Sequence, residues 1–270
     1  MGANPVMPEV PSQWRTTWDR TKNREPYSTS GSTGGPGGIL LLHGFTGSPG
    51  ELRPLGEWLN DLGYAVEIPV LAGHCTRVED LNRVRYRDWL ISGEQAYDRL
   101  SRRTKRVWVM GHSMGGLVGM HLVNRYPVQG IVTNCAPVHL YHPHSWLTHF
   151  VGWAIPVVQG PPPKQDAFEP FLGGYNALAV KAASQFLRLL RRSREEIEQL
   201  RSPLLVQQAR LDQTVRADSG QYIYQHAASV DKRLKWYEQS GHMLPLDVEY
   251  EAVWTDILHF LQDTERGSAG

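Results

Sequence analysis

Residues 107–116 read Val107-Trp108-Val109-Met110-Gly111-His112-Ser113-Met114-Gly115-Gly116, an apolar run with two β-branched valines that ends in Gly-x-Ser-x-Gly. Apolar residues then recur at helical spacing from Leu117 to Leu122. The pattern predicts a strand, a sharp turn that carries Ser113, and a helix. Gly111 and Gly115 leave room for backbone packed closely on both sides of the turn. We therefore expect an exposed serine hydroxyl at a helix N-terminus, where the helix dipole favours a developing negative charge.

Short apolar runs recur on both sides of this stretch and predict the other strands. They span 39–42, 64–68, 131–135, 204–209 and 234–238. Helical patterns lie between most of these runs, at 50–62, 86–103, 115–126, 216–227 and, at the end, 247–262. Strands that alternate with helices predict an α/β fold, with a mainly parallel sheet and helices on both faces.

Composition divides the chain further. Residues 1–38 are rich in glycine, proline and polar residues, which predicts a flexible N-terminal extension. The sheet-and-helix pattern assigns 39–138 and 177–263 to one α/β core. Between them, 139–176 carries prolines and aromatics and predicts a small inserted cap, and 264–270 is a C-terminal tail. At 270 residues, one domain with an insertion is the expected organisation.

The segment that leaves the cap is predicted to be helical in two pieces. A helix runs through Ala177–Arg192, and the capping-box sequence Ser193-Arg194-Glu195-Glu196 predicts the start of another short helix. The arginines Arg188, Arg191, Arg192 and Arg194 could form a polyanion-binding patch. Because glutamates follow them directly, a solvated helix face is the better interpretation.

Charge and cysteine content exclude several classes of protein. The formal net charge is +1, from 28 basic and 27 acidic residues, so neither nucleic acid nor an anionic membrane surface is an expected partner. Two cysteines, Cys75 and Cys135, cannot form a disulfide framework for a chain of this size, and Cys135 is best interpreted as a small buried apolar residue. Without a long apolar stretch or an apolar signal-peptide core, we expect a soluble, cytoplasmic protein without stable membrane insertion.

A serine nucleophile needs a base, and the base needs a carboxylate that fixes its tautomer. Asp212 follows the predicted strand 204–209, and His242 follows the predicted strand 234–238. Both lie just beyond strand ends, in the order serine, acid, histidine. The competitors Asp218, Asp231 and His226 lie in or beside a helical pattern. We therefore predict the catalytic residues to be Ser113, Asp212 and His242.

An oxyanion hole needs two backbone N–H groups that point at the carbonyl oxygen under attack. Met114, directly after the nucleophile, should supply one. The second should come from the loop after the first core strand, His43-Gly44-Phe45-Thr46-Gly47, with Phe45 as the candidate. His43 precedes the serine and lies in a different loop from the predicted base, so we expect it to hold this loop.

The cap sequence suggests an apolar pocket. Trp146, Phe150, Trp153 and Ile155 could line a site for an acyl or aromatic ester group. Four histidines at 139, 142, 144 and 149 raise a metal site as an alternative, but they lack a fixed helical ligand spacing and any nearby carboxylate or cysteine partner. We expect no metal.

Four motifs together resemble bacterial carboxylesterases and monoacylglycerol lipases of the α/β-hydrolase superfamily. They are His43-Gly44-Phe45-Thr46-Gly47, Gly111-His112-Ser113-Met114-Gly115-Gly116, Gln208-Ala209-Arg210-Leu211-Asp212 and Trp236-Tyr237-Glu238-Gln239-Ser240-Gly241-His242. The resemblance covers about 39–138 and 177–262. It implies the α/β-hydrolase fold, the triad and oxyanion residues named above, and no cofactor. Gly73-His74-Cys75 departs from the Gly-His-Gly usual in such proteins, and the cap does not match.

The expected function is that of a serine carboxylesterase that acts on a small-molecule ester of small to medium chain length. Monoacylglycerol lipase is the alternative within the same chemistry. A thioesterase, a lactonase and a non-catalytic binding protein of the same fold are further alternatives, because a fold does not determine a function.

Overall fold

The computed structural model describes residues 10, 19–141, 157–159 and 172–267. Their main feature is a seven-stranded sheet. Its strands are β1 (Tyr27–Ser28), β2 (Gly38–Leu42), β3 (Ala65–Ile68), β4 (Val107–His112), β5 (Gly130–Asn134), β8 (Leu204–Ala209) and β9 (Lys232–Tyr237). They lie in the order β1-β3-β2-β4-β5-β8-β9. β1 is antiparallel to β3, and every other neighbouring pair is parallel. The mainly parallel sheet predicted from the sequence is confirmed.

Helices connect these strands and cover the sheet. In chain order they are α1 (Arg53–Asp61), α2 (Val78–Leu81), α3 (Tyr86–Ser101), α4 (Met114–Val123), α5 (Val180–Ile197), α6 (Asp218–His226) and α7 (Tyr250–Gly267). Two apolar clusters separate the helices into two layers. Helices α3, α4 and α5 contribute to one cluster, and α1 and α7 contribute to the other. The sheet is therefore covered on both faces, which explains why β2, β4, β5 and β8 are buried along their whole length.

The strand order places a crevice beside Ser113. From β2 the chain first crosses to β3 on one side and later returns to β4 on the other side of β2. In open parallel sheets, ligands bind at such a reversal, outside the carboxyl ends of the strands. The loop after β2 and the turn after β4 meet there, which brings the two predicted oxyanion segments together.

Two short pairings were not predicted. Within the expected flexible extension, Tyr27–Ser28 pairs with β3 as an edge strand, and Ser28 Oγ donates to Glu67 Oε2 at 2.7 Å. In addition, β6 (Val157–Gln159) and β7 (Ala177–Ala179) form a separate antiparallel pair. Strands of two or three residues carry too little hydrophobic periodicity to be found by pattern.

The prediction of two helices after the cap was wrong, because α5 runs without interruption through Ser193. Inside this helix Ser193 Oγ donates to the carbonyl of Leu189 at 2.9 Å instead of capping a new helix. Glu196, the other member of the expected capping box, contacts His121 Nδ1 of α4 at 2.9 Å and Arg192 Nε at 3.0 Å. The Glu196 carboxylate, which the local pattern assigned to a helix cap, therefore bonds to a side chain of another helix instead.

None of the helices formed by the described residues is long and apolar enough to cross a membrane.

Candidate active site

Ser113 lies at the turn between β4 and α4 in a left-handed backbone conformation, with φ 52° and ψ −121°. Its N–H donates to the carbonyl of Asn134 at 2.8 Å, which ties the turn to the end of β5. A Cβ at Gly111 would overlap the backbone of Gly115, and a Cβ at Gly115 would overlap the carbonyl of Leu42. Both glycines are thus required by close backbone packing, as the sequence pattern indicated.

The three residues predicted as a triad are adjacent. His242 Nε2 lies 3.1 Å from Ser113 Oγ, and His242 Nδ1 lies 2.7 Å from Asp212 Oδ2. In the tautomer that satisfies both contacts, Nδ1–H donates to the carboxylate and Nε2 accepts the serine proton. An imidazole held this way can act as a general base toward the hydroxyl.

The surroundings of Asp212 favour its ionised form. Its other oxygen, Oδ1, accepts from the N–H groups of Thr214 and Val215, both at 2.8 Å. Burial acts to raise the pKa of Asp212, but the hydrogen bond and charge of His242 and the two amide donors outweigh it and lower that pKa. The carboxylate is therefore suited to stabilise a protonated His242.

Cys135 also lies against this pair. One possible ligand atom from each of Cys135, Asp212 and His242 lies within 4.8 Å of the others, which is close enough for a metal site to be considered. Burial and the neighbouring Asp212 charge raise the pKa of the Cys135 thiol well above its ordinary value. A neutral thiol is a poor metal ligand, and Asp212 and His242 already bond each other. We therefore interpret Cys135 as a buried neighbour of the carboxylate.

Two neutral histidines fix the loop after β2, which we call the oxyanion loop (residues 43–47). His43 Nδ1–H donates to the carbonyl of Gly44 at 2.9 Å, and Nε2 accepts from the N–H of Leu71 at 3.1 Å. His74 Nε2 accepts from the N–H of Thr46 at 3.2 Å. Burial, with the nearby His74 charge, lowers the pKa of His43 to about 3, and burial lowers the pKa of His74 to about 4. Both imidazoles are uncharged at neutral pH and can accept these amide protons.

The oxyanion loop also contacts the segment that leaves the cap. The N–H of Tyr175 donates to the carbonyl of Thr46 at 2.9 Å, and the N–H of Gly173 donates to Ser48 Oγ at 3.1 Å. The Phe45 ring stacks on Phe186 of α5, with centroids 5.2 Å apart. Phe45 is thus held against α5 by its side chain.

At Gly73-His74-Cys75, a cysteine stands where the family pattern has a glycine. Cys75 has φ 58°, a conformation that glycine adopts freely and cysteine rarely does. The backbone here is thus of the kind that favours glycine, and the loop brings His74 to Thr46.

The predicted pocket residues Trp146, Phe150, Trp153 and Ile155 lie outside the described residues, as do three of the four cap histidines. The fourth, His139, has a carboxylate partner that its sequence neighbours did not reveal, because its Nδ1 lies 3.2 Å from Asp218 Oδ1. That carboxylate also pairs with Arg216 at 2.6 Å.

The other candidates for the catalytic acid and the catalytic base make their contacts with other groups. Asp218 is committed to His139 and Arg216, and Asp231 pairs with Arg233 at 3.4 Å. His226 Nδ1 lies 2.9 Å from the carbonyl of Tyr222, one turn earlier in α6. None of these contacts leads to Ser113.

Sequence reasoning missed the polar groups beneath the site. His112 Nδ1 lies 3.1 Å from Asn134 Oδ1, whose amide donates to Gln207 Oε1 at 3.3 Å. Gln207 in turn donates to Tyr237 Oη at 2.6 Å. The His112 ring lies 5.0 Å from the His242 ring, measured between centroids. Burial, with the nearby His242 charge, lowers the pKa of His112 to about 3, so a neutral ring packs under the predicted base. A second missed group is the buried carboxyl of Glu51.

The fold is that of α/β hydrolases. Residues 39–254 match the family model described as "Alpha/beta hydrolase family". The match spans most of the chain, so the protein belongs to the α/β-hydrolase family.

Two relatives in the family share a reaction class. A carboxylesterase of Bacillus subtilis (strain 168) is 32% identical over 232 residues, which cover 85% of this chain and 94% of the relative. A thermostable monoacylglycerol lipase of Bacillus sp. (strain H-257) is 30% identical over 235 residues, 84% of this chain and 90% of the relative. Both names describe enzymes that hydrolyse carboxylic esters, which supports that reaction class for this chain.

Solved structures agree with the fold. A structure reported for LipS and LipT, two metagenome-derived lipolytic enzymes, superposes with a TM-score of 0.82 at 26% identity and covers 89% of this chain and 98% of its own. A soluble variant of monoglyceride lipase from Saccharomyces cerevisiae gives a TM-score of 0.72 at 17% identity, with coverages of 88% and 90%, and supports the fold alone.

Proposed function

We propose that this protein is a serine carboxylesterase that hydrolyses small to medium-chain carboxylic esters through an acyl-enzyme. The observation that carries the proposal is the pair of contacts at His242, 3.1 Å to Ser113 Oγ and 2.7 Å to Asp212 Oδ2. In this proposal Ser113, His242 and Asp212 are catalytic, and the N–H groups of Phe45 and Met114 form the oxyanion hole.

The reaction has two halves. His242 Nε2 takes the proton of Ser113 Oγ as that oxygen attacks the ester carbonyl, and the two amides receive the negative charge of the tetrahedral intermediate. His242 then gives its proton to the leaving alcohol. In the second half a water molecule, deprotonated by His242, attacks the acyl-enzyme. The bond between the acyl carbon and Ser113 Oγ breaks, His242 returns the proton to Ser113 Oγ, and the acid is released. Asp212 stays ionised throughout.

Several structural features support the oxyanion assignment. Met114 opens α4, and the first N–H groups of a helix have no acceptor within the helix. Among the described residues, the N–H of Phe45 has no hydrogen-bond acceptor. The preceding residue, Gly44, lies against the nucleophile, since a Cβ at Gly44 would be 3.4 Å from Ser113 Cβ.

The test is Ser113→Ala, assayed on p-nitrophenyl esters of increasing acyl length and on monoacylglycerols. We expect kcat to fall by at least about 10³-fold while the melting temperature changes little, because only the attacking oxygen is removed. Ser101→Ala, at the end of α3, is the matched control and should keep wild-type activity. The proposed mechanism fails if Ser113→Ala keeps turning over, or if a fluorophosphonate does not label Ser113 in the wild-type protein.

Monoacylglycerol lipase is the second candidate, favoured by the relative of that name at 30% identity. The same panel separates the two candidates. Activity that falls beyond medium acyl chains supports the simple esterase. Activity that rises steadily to long-chain monoacylglycerols would instead assign the lipase.

A further inference from the structure

Glu51 is a buried carboxyl that the proposed mechanism does not use. It ends a short 3-10 turn, Pro49–Glu51, directly after the oxyanion loop, and only 4% of its surface is exposed. Its Oε2 accepts from the N–H of Gly44 at 2.9 Å. Among the described residues no Lys, Arg or His lies within ion-pair distance of this carboxyl. Burying an acid without a cation is costly, so a compensating role is expected.

The oxyanion loop is shaped around this carboxyl. A Cβ at Gly44 would lie 3.3 Å from Glu51 Oε2 and 3.4 Å from Ser113 Cβ, so Gly44 is packed between the carboxyl and the nucleophile. At the other end of the loop, a Cβ at Gly47 would overlap Glu51 Oε1. The carboxyl thus lies against Gly44 and Gly47, which flank Phe45 and Thr46 in the loop.

Other contacts fix the remaining polar groups of the loop. The N–H of Thr46 donates to His74 at 3.2 Å, its carbonyl accepts from the N–H of Tyr175, and the carbonyl of Gly44 accepts from His43. Among the described residues, only Glu51 bonds the N–H of Gly44. The Phe45 N–H belongs to the next peptide plane, whose Gly44 carbonyl accepts from His43, so Glu51 and His43 together fix its direction.

We propose, on the basis of the function proposed above, that Glu51 is a positioning residue for ester hydrolysis: through Gly44 its carboxyl holds the Phe45 amide in place over Ser113.

The charge of Glu51 follows from its surroundings. Burial raises the pKa of Glu51 to about 7, against the opposing effects of the Gly44 and Ser48 amides and of His242. The Cys75 thiol also interacts with it and in turn contacts Arg24. Part of the population of Glu51 therefore carries a negative charge at neutral pH.

The decisive comparison is between Glu51→Gln and Glu51→Ala. The glutamine retains a side-chain carbonyl that can accept from Gly44 but carries no charge, whereas the alanine removes the acceptor. For Glu51→Ala we expect kcat on p-nitrophenyl butyrate to fall about 10- to 100-fold with little change in KM, because oxyanion donors act in the transition state. For Glu51→Gln we expect kcat at the pH optimum to stay within about 3-fold of wild type.

The split between kcat and KM, together with rescue by glutamine, gives a readout that a merely structural role would not move. A side chain that only stabilises the fold would not lower kcat at constant KM in Glu51→Ala and have it restored in Glu51→Gln. Glu57→Ala on α1 is the matched control, since the partly exposed Glu57 pairs with Arg53. It should match wild type in kcat and in KM.

Each outcome separates this proposal from the one on which it rests. The proposal is overturned if Glu51→Ala keeps wild-type kcat, or if Glu51→Gln is as impaired as Glu51→Ala. If Glu51→Ala does not fold, a folded Glu51→Gln whose kcat falls by more than about 3-fold overturns it, because its amide carbonyl still offers an acceptor to Gly44. Wild-type protein that hydrolyses no ester, or an active Ser113→Ala variant, overturns both proposals. An inactive Ser113→Ala beside a fully active Glu51→Ala overturns only the role of Glu51.

Discussion

Four non-glycine residues near the site have left-handed backbone conformations: Thr46 (φ 62°), Cys75 (φ 58°), Ser113 (φ 52°) and Cys135 (φ 46°). Each follows one of the strands β2, β3, β4 and β5, which are neighbours in the sheet. Such conformations cost about 1 to 3 kcal/mol each and persist only where surrounding contacts impose them. The backbone strain is thus concentrated in the loops that follow four adjacent strands.

At the residue scale, Asp212→Asn tests the predicted acid. The amide cannot hold the His242 tautomer whose Nε2 accepts the serine proton, so we expect kcat for ester hydrolysis to fall by about 10⁴-fold. Asp231→Asn, which affects only the pair with Arg233, is the control and should stay within about 2-fold of wild type. Equal activity of the two variants would remove Asp212 from the triad.

At the element scale, the connection from β4 to α4 depends on how closely the start of the helix approaches β2. Gly115, in the first turn of α4, packs on the carbonyl of Leu42. Gly119, one turn later, faces only side chains, and a Cβ there would lie 3.2 Å from Val109 Cγ1. The same helix therefore contains one glycine required by backbone packing and one that borders movable side-chain atoms.

This contrast predicts different effects for the same substitution. Gly115→Ala should lower the free energy of unfolding by about 2–4 kcal/mol and abolish esterase activity, because the elbow must move away from Leu42. Gly119→Ala should stay within about 1 kcal/mol of wild type and remain active, since the helix propensity of alanine offsets a small side-chain adjustment. Denaturant titration and the ester assay measure both. A stable, active Gly115→Ala would contradict this account of the elbow.

At the scale of the whole molecule, three buried histidines link stability to pH. The pKa values of His43 and His112 are lowered to about 3 and that of His74 to about 4, mainly by burial. On unfolding, each ring regains an ordinary pKa of about 6.5. Their contribution to stability is therefore complete above about pH 6.5 and is lost as the pH falls toward their folded values. Glu51 has the opposite sign, because its raised pKa of about 7 favours the folded state at lower pH.

His112→Gln isolates one of these contributions. Between pH 6 and pH 5, each buried neutral histidine should cost about 1.4 kcal/mol of unfolding free energy per pH unit. The slope of unfolding free energy against pH should therefore be about 1.4 kcal/mol per unit shallower in His112→Gln than in wild type. Denaturant titrations at pH 5, 6 and 7 measure it. A parallel loss of stability in both proteins would show that His112 is not neutral in the folded state.

Local patterns were sufficient for the elements that carry the site. The predicted strand 204–209 matches β8, and the predicted strand at 107–110 differs from β4 only at its end. These segments combine a continuous apolar run with a clear boundary at glycine or at a polar residue, and both signals are local. For the same reason the order of Ser113, Asp212 and His242 could be read before any contact between them was known.

The sequence alone determined the alternating α/β pattern, the elbow at Ser113 and the order of the three predicted catalytic residues, because each depends on neighbours within a few positions. Only the tertiary structure decided that α5 continues through Ser193, that His74 bonds Thr46 and that Glu51 lies beneath Gly44. Those outcomes depend on which distant groups meet after packing. A buried polar atom takes the partner that the fold brings within reach, and no local pattern names that partner.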